Sequence, residues 1–312
     1  MSSRLKMTAR NAFWSYFSMF VSFGLQFISR TVFIYCLGEE YLGINGLFSN
    51  VLGVLSFAEL GIGTAINFCL YKPVAENNIE KIKSYMWYYK WAYRTIAVII
   101  TIIGLALIPF LNVLVKDPGN VGNIVIYYLI YLFNTVTTYF VSYKYSLVNA
   151  EQKNYIYTNV NLIISISTII IQVIALVIWK NFLIYLLVAA IFGVFQKIFI
   201  CIYFNRLYPY LKEKNIEKLT KQEKSILITK IKALVIHKIG DVSVHQTDNI
   251  IVSAFVSTKM VGLLSNYNLF ISTVSSCINV LFNSVTGSLG NLVATESKEY
   301  QYIIFKRYRF IG

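Results

Sequence analysis

The chain has 312 residues, of which 57% are hydrophobic and only 13% are charged. This proportion is the reverse of that in a water-soluble domain of the same size, and it excludes most soluble enzymes and binding modules. The formal net charge of +14 would suit a nucleic-acid-binding protein. The basic residues, however, lie in polar joints between long apolar stretches, so we expect no nucleic-acid partner.

Eight apolar stretches follow one another along the chain. Each is about as long as a helix that crosses a bilayer, and only a helix satisfies its own backbone groups in lipid. The predicted spans lie at 13–37, 44–70, 91–111, 122–147, 158–179, 183–204, 233–256 and 261–285. The sequence therefore predicts an all-α membrane protein with about eight transmembrane helices.

Lys and Arg residues concentrate in alternate joints. If the N-terminus is cytoplasmic, the outside joints contain only Lys116, Lys180 and Lys259, and the inside joints include a basic run from Arg206 to Lys232. This asymmetry is the positive-inside pattern. It predicts a multi-pass protein with a cytoplasmic N-terminus, and its basic loops are expected to contact membrane lipids.

The charged run at 206–232 is also the best candidate for a boundary between two helix bundles. It follows the sixth predicted span. We therefore predict an N-terminal six-helix lobe at 1–205, a basic cytoplasmic linker at 206–232 and the start of a second lobe at 233–312. On this division the second lobe has only its first two helices, and the chain is expected to be truncated at its C-terminus.

A weak internal repeat supports the division into lobes. Ile34–Gly43 (IYCLGEEYLG) and Ser253–Gly262 (SAFVSTKMVG) each combine an apolar helix end, a tight polar joint and a glycine that opens the next span. The first helices of both lobes would then have the same orientation, as in parallel repeats around an axis along the membrane normal.

Polar side chains form stripes on several predicted spans. On the first span they recur every three or four residues, so they share one face of an apolar helix. The stripes are Ser15, Ser18, Ser22, Gln26 and Arg30 on the first span, His237, Asp241, His245 and Asp248 on the seventh, and Asn268, Ser272, Ser275, Asn279 and Asn283 on the eighth. A charged group deep in a membrane is costly and is a functional candidate by default.

Hydrogen bonding between helices explains stripes of Ser, Thr and Asn. It does not explain ionisable groups, which need partners or water. Counted back from Gly43 and Gly262, Arg30 lies at the depth of Asn249, the neighbour of Asp248. We therefore expect a hydrated cavity between the two lobes.

Three residues are predicted to bind substrate in this cavity: Arg30, Gln26 and Asn268. The candidates for coupling to a proton or sodium ion are Asp248, Asp241, Glu59 and His245. The seventh-span stripe has ligand types that suit zinc, but it extends over three turns and lacks a second ligand cluster, so we predict no metal and no cofactor. Four basic residues near the cytoplasmic ends are expected to extend their heads to the lipid headgroups: Arg94, Lys144, Lys197 and Lys238.

The sequence has no enzyme motif. It lacks G-x-S-x-G, a phosphate-binding glycine loop and a roomy loop with an acid–base pair. We therefore expect a protein that catalyses no chemical step.

Four stretches resemble the polysaccharide-type (Wzx-like) flippases of the multidrug/oligosaccharidyl-lipid/polysaccharide exporter superfamily. They are Leu37–Ile82, His237–Phe255, Val261–Phe270 and Ser288–Ser297. The resemblance implies two lobes around a central cavity in a bacterial cytoplasmic (inner) membrane. It also implies a flippase of undecaprenyl-diphosphate-linked oligosaccharides that serves capsule, exopolysaccharide or other surface polysaccharide export. Other polysaccharide assembly proteins would be partners, and Arg30 would engage the diphosphate.

Three alternatives stay open. A cation-coupled multidrug antiporter of the same superfamily would depend on Asp248 or Asp241. A membrane-embedded glycan polymerase or glycosyltransferase would need a sizeable loop with carboxylates. A nonfunctional gene fragment would be separated from the other hypotheses by the gene sequence beyond codon 312.

Overall fold

A computed structural model describes residues 2–55, 62–115, 121–213, 216–245 and 247–311. All regular secondary structure in these ranges is helical, with two short 3₁₀ turns at Ile108–Phe110 and Pro209–Lys212. The α-helices are α1 (Ser2–Leu37), α2 (Glu39–Leu55), α3 (Ile62–Ala75), α4 (Ile79–Ala106), α5 (Leu111–Leu114), α6 (Ile124–Ala150), α7 (Asn154–Trp179), α8 (Phe182–Leu207), α9 (Lys221–His245), α10 (Asp248–Phe255), α11 (Thr258–Thr295) and α12 (Lys298–Ile311).

Six of these helices are long and apolar enough to cross a membrane. They are Ala9–Leu37 within α1, together with α4, α6, α7, α8 and α11. The protein is thus an all-α, multi-pass membrane protein. The other two predicted spans are described in parts. Residues 44–55 and 62–70 of the span 44–70 are helical, with 56–61 outside the described residues, and in 233–256 a bend at Thr247 precedes α10.

Side-chain caps explain why the joints between the long helices are so short. The Asn78, Asn123 and Asn181 side chains accept hydrogen bonds from the first free backbone N–H groups of α4, α6 and α8. Ser257 does the same for α11. One residue in each case satisfies backbone donors that would otherwise be unpaired at the membrane boundary.

Helix α9 begins at Lys221, inside the predicted linker at 206–232. The reason is a capping box, in which the Glu223 N–H donates to the Thr220 hydroxyl and the Thr220 N–H donates to the Glu223 carboxylate at 2.8 Å. Glu223 also forms an ion pair with Lys81 of α4 at 3.1 Å. The C-terminal half of the predicted linker is therefore a helix attached to the six-helix bundle.

Helix α11 packs across α1, α2 and α3, and at one end its backbone almost touches that of α2. A Cβ atom at Gly43 would overlap the carbonyl oxygen of Thr258, and a Cβ at Gly262 would lie 2.6 Å from the Glu39 carbonyl oxygen. Glu39 precedes Gly43 by four residues, as Thr258 precedes Gly262. The contact is therefore reciprocal between the two copies of the repeat, as it is across a two-fold axis.

The repeat contact continues along both helices. A Cβ at Gly46 would lie 3.8 Å from the Cβ of Ser265, and these two positions follow Gly43 and Gly262 by the same three residues. Position 46 thus contacts its own counterpart in the other repeat. This is expected of the residue pair nearest to a two-fold axis.

The opposite end of α11 is held by the turn between α6 and α7. The Ser288 hydroxyl hydrogen-bonds the Gln152 side chain at 3.0 Å, and the Asn11 amide of α1 donates to the Gln152 carbonyl oxygen at 3.1 Å. Asn11 also accepts from the Tyr155 N–H at 3.1 Å. We call this the basic end of the bundle, because α1 and α4 begin here and the Lys-rich joints lie here. Both ends of α11 therefore contact the same helical bundle.

The glycine contact makes a matched pair of substitutions informative. Gly43→Ala is expected to lower the free energy of unfolding by about 1–3 kcal/mol, because the new methyl group overlaps a backbone carbonyl that has no free space. The check is thermal unfolding of the purified protein in detergent. Gly24→Ala is the control, since a Cβ there meets no atom within 4 Å, and its unfolding temperature should not fall. Equal unfolding temperatures for both variants would contradict the packing.

A pH dependence follows from the capping box of α9. The Thr220 N–H, the Thr220 hydroxyl and the Lys81 ammonium hold the pKa of Glu223 below its ordinary value of 4.5. Because the folded-state pKa is depressed, the stabilisation is present above 4.5 and is lost as the pH falls through the folded-state pKa.

At neutral pH we therefore expect Glu223→Gln to be less stable than the parent by about 1 kcal/mol. This difference should shrink as the solution is acidified below 4.5, as measured by thermal unfolding at a series of pH values. Glu76→Gln is the control, because its pair with Lys72 is long (3.8 Å) and exposed. A stability difference that does not change with pH would contradict the assignment.

Candidate functional site

A polar cavity of about 190 Å³ lies where α1 meets α2, α7, α8 and α11. It contains one cation and several neutral polar groups. Its lining consists of Gln26, Ser29, Arg30, Phe33, Leu42, Asn45, Ile169, Gln172, Tyr185 and Leu269. Helix α1 contributes four of these residues, spaced as on one helix face.

Arg30 reaches from α1 to α11. Its Nε donates to the Asn266 Oδ1 at 2.5 Å, and its Nη2 donates to the Ser265 hydroxyl. Both acceptors are neutral. Within the ranges that the structure describes, no carboxylate forms an ion pair with this guanidinium. These hydrogen bonds therefore position the guanidinium without adding a negative charge beside it.

The far wall of the cavity is fixed by hydrogen bonds and ring packing. The buried Gln172 amide of α7 donates to the Tyr185 carbonyl oxygen of α8 at 3.1 Å. The Tyr185 ring lies edge to face against Phe33, with 5.1 Å between the ring centroids. The Asn45 Oδ1 of α2 accepts a hydrogen bond from the Tyr131 hydroxyl. Polar groups from α2 and α7 thus face the same space as the cation.

The structure brings together two of the three predicted substrate-binding residues. Gln26 and Arg30 line the cavity one turn apart on α1. Asn268 is exposed and is not part of the lining, and Asn266 occupies the position next to Arg30. The stripe on the eighth span did not reveal this, because Asn266 is off that stripe. One feature of the sequence pointed to Ser265, because it is the counterpart of Gly46 in the repeat.

The ion-coupling candidates lie partly beyond what the structure describes. Glu59 is outside the described residues, and of Asp241 and His245 only the helical backbone is described. Asp248 is exposed at the start of α10. Its neighbour Asn249 is buried, with its Nδ2 3.9 Å from the Cβ position of Gly46. Coupling through these residues stays a prediction.

Two of the four basic residues expected at the headgroups instead bond to neighbouring helices. The buried Lys144 Nζ donates to the Asn205 Oδ1 at 2.8 Å, and the Lys197 Nζ donates to the Thr137 hydroxyl at 2.6 Å. Both ammonium groups find acceptors inside the bundle, because α6 and α8 pack closely enough to offer them, and an extension to the headgroups is not needed to satisfy these donors. Arg94 is exposed, and the Lys238 side chain is not described.

Comparisons with known proteins agree with this architecture. The family model described as "Polysaccharide biosynthesis protein" matches residues 8–286. A solved structure described as "protein A" superposes with a TM-score of 0.72 at 15% sequence identity. That match covers 94% of this chain, and the chain spans 66% of the other protein's length. At this identity the likeness shows the fold alone. A comparison with curated protein sequences gives no significant match.

A matched pair of substitutions tests whether Asn266, and not Asn268, contacts Arg30. Asn266→Leu removes an acceptor from a charged donor, so it should destabilise the protein by about 1.5–3 kcal/mol. Asn268→Leu, two residues away and exposed, should leave the stability within about 0.5 kcal/mol. Thermal unfolding in the same detergent measures both. A larger loss for Asn268→Leu than for Asn266→Leu would show that α11 has a different rotation.

Proposed function

This chain belongs to the polysaccharide biosynthesis protein family, and on that premise we propose that it flips lipid-linked oligosaccharides across the bacterial cytoplasmic membrane. Membership indicates a role in polysaccharide synthesis or export. The finer assignment is that undecaprenyl-diphosphate-linked repeat units are moved for a capsule, exopolysaccharide or other surface polymer. The proposal includes a cytoplasmic N-terminus, as the distribution of Lys and Arg predicts.

The observation that carries the proposal is that Arg30 has no carboxylate partner among the described side chains. A guanidinium inside a membrane bundle needs hydration, hydrogen bonds or an anion. Ser265 and Asn266 supply neutral acceptors, which leave its charge available. A diphosphate is a fitting anion, because its oxygens match the planar fork of donors on arginine.

The other cavity groups suit the sugar part of such a substrate. The side chains of Gln26, Ser29, Asn45 and Gln172 offer donors and acceptors for hydroxyl groups. A volume of about 190 Å³ is smaller than the cavities that usually enclose even a drug-sized ligand. We therefore assign the diphosphate and the first sugar to this cavity and expect the site to widen during transport.

Widening requires α11 to move relative to α1. In our proposal these helices belong to different lobes, and Arg30 bonds across the boundary between them. An arriving diphosphate would compete with Ser265 and Asn266 for the guanidinium. Such competition weakens the contact between lobes when substrate binds, which is the coupling that alternating access needs.

No observation in the described part of the chain favours a rival function. The antiporter hypothesis depends on Asp248 and Asp241. The first is exposed outside the cavity lining and the second has no described side chain. The glycan polymerase hypothesis needs a sizeable loop with carboxylates, and the described lining of the Arg30 cavity includes no carboxylate.

The proposal predicts a charge-specific loss of export. With Arg30→Gln introduced into the gene at its own chromosomal locus, surface polysaccharide should fall roughly tenfold to a hundredfold, because a charge-assisted hydrogen bond to the diphosphate is lost. Lipid-linked repeat units should accumulate on the cytoplasmic side. The measurements are surface polymer per cell and the sidedness of the lipid-linked pool, at matched membrane protein levels.

Lys197→Gln is the control, because Lys197 is also a cation bonded to neutral groups within the bundle but lies outside the cavity lining. Its export per molecule of protein should equal that of the parent. Unchanged export in Arg30→Gln would refute the assignment. An unchanged polymer level with lost drug efflux would support the antiporter instead.

A further inference from the structure

A second and larger cavity, of about 630 Å³, lies near the basic end of the bundle. Helix α6 packs against both α4 and α8, and the cavity is the space between those two helices. It shares no lining residue with the Arg30 cavity. Its lining includes five basic side chains, Lys83, Lys90, Arg94, Lys144 and Lys212, and one acidic side chain, Glu213.

The basic groups of this cavity differ in their pairing. Lys83 is buried and forms ion pairs with Glu80 at 2.6 Å and with Glu213 at 2.8 Å, so its charge is balanced. For Lys90, Arg94 and Lys144 no ion pair with a carboxylate occurs among the side chains that the structure describes. Among the described side chains, these three cations and the exposed Lys212 thus line one cavity without an ion pair to a carboxylate.

These three cations lie on two neighbouring helices. Lys90 and Arg94 are one turn apart on the same face of α4. Lys144 lies on α6 and is only 5% exposed. Its ammonium is fixed by hydrogen bonds to Asn205 and to the Cys201 carbonyl oxygen of α8. Like charges held together in a membrane protein are unfavourable unless an anion joins them.

The surroundings of the cavity indicate a lipid. Trp87 and Phe140, which also line it, are both exposed, and both belong to helices long and apolar enough to cross a membrane. The cavity is therefore lined both by cations and by two exposed aromatic side chains of helices that can cross a membrane, and we call Trp87 and Phe140 its aromatic rim. Tryptophan is enriched at the headgroup level of a bilayer, and basic pockets between transmembrane helices on the cytoplasmic side bind anionic headgroups.

We propose that this cavity binds the phosphate headgroup of an anionic phospholipid, with Lys90, Arg94 and Lys144 as its cationic ligands. The volume is within the range that encloses a small ligand, and it suits a glycerophosphate group whose acyl chains leave past Trp87 and Phe140. The lipid would fill the gap between α4 and α8 and would balance the charge there.

The experiment uses the full chain, purified in mild detergent and titrated with phosphatidylglycerol or phosphatidylethanolamine, with bound lipid counted by native mass spectrometry. The parent should bind phosphatidylglycerol more tightly than phosphatidylethanolamine. The double variant Lys90→Gln, Arg94→Gln should bind phosphatidylglycerol about tenfold more weakly. These two side chains make no hydrogen bond in the described structure, and the single variants replace the double one if it does not fold.

Two control variants keep this site separate from the Arg30 site. Lys259→Gln removes an exposed cation at the other end of the bundle, and Arg30→Gln removes the cation of the proposed transport site. Both should bind phosphatidylglycerol as the parent does. Failure of export in Arg30→Gln and failure of lipid binding in the double variant Lys90→Gln, Arg94→Gln (the α4 variant) are thus independent results.

A competition experiment distinguishes a lipid from a soluble phosphate. Inorganic phosphate in large molar excess should not displace phosphatidylglycerol, because it lacks the acyl chains that hold the lipid at the aromatic rim. Displacement by inorganic phosphate would overturn the lipid assignment in favour of a soluble anion. Equal binding of the two phospholipids, or equal binding by the α4 variant and the parent, would overturn the site itself.

Discussion

A charge cannot remain in the hydrocarbon layer without a partner, and this constraint organises the whole arrangement around Arg30. The cost of desolvating an isolated cation exceeds that of most other defects in a membrane helix. The chain satisfies the constraint with two neutral acceptors, Ser265 and Asn266, contributed by another helix. Such acceptors hold the guanidinium in position and keep its charge free for an anion.

The position of those acceptors depends on the glycine contact between α2 and α11. Gly43 and Gly262 allow the two backbones to approach more closely than any side chain would permit. The approach brings the first turns of α11 against α1 and α2, within reach of Arg30. Because the contact is reciprocal between the two repeats, it is the arrangement expected if the predicted lobes are related by a two-fold axis.

Much of the fold was predictable from hydropathy and spacing alone. Six of the eight predicted spans correspond to long single helices, because the length of an apolar run directly reflects the thickness of the bilayer. The spacing of three and four residues placed Gln26 and Arg30 on one face of α1, as found. Of the other two spans, 233–256 has a bend at Thr247 before α10 begins, and length and composition alone gave no sign of that bend.

Other features depend on packing that one sequence does not show. Which face of α11 meets α1 is set by the glycine contact, so Asn266 and not Asn268 lies beside Arg30. The inward bonds of Lys144 and Lys197 depend on acceptors from a neighbouring helix, which helical periodicity does not reveal. The start of α9 could be predicted from the sequence, because Thr220 and Glu223 have the spacing of a capping box.

Transport through the Arg30 cavity requires water to reach the guanidinium. The most direct measurement is cysteine labelling in the membrane, with the four native cysteines replaced, a cysteine at Gln26 in the cavity lining and a comparison cysteine at Ile28, which is exposed but outside that lining. We expect a membrane-impermeant thiol reagent to modify position 26, to leave position 28 unmodified, and to be blocked at position 26 by lipid-linked oligosaccharide. Position 26 remaining unmodified under every condition would contradict the account.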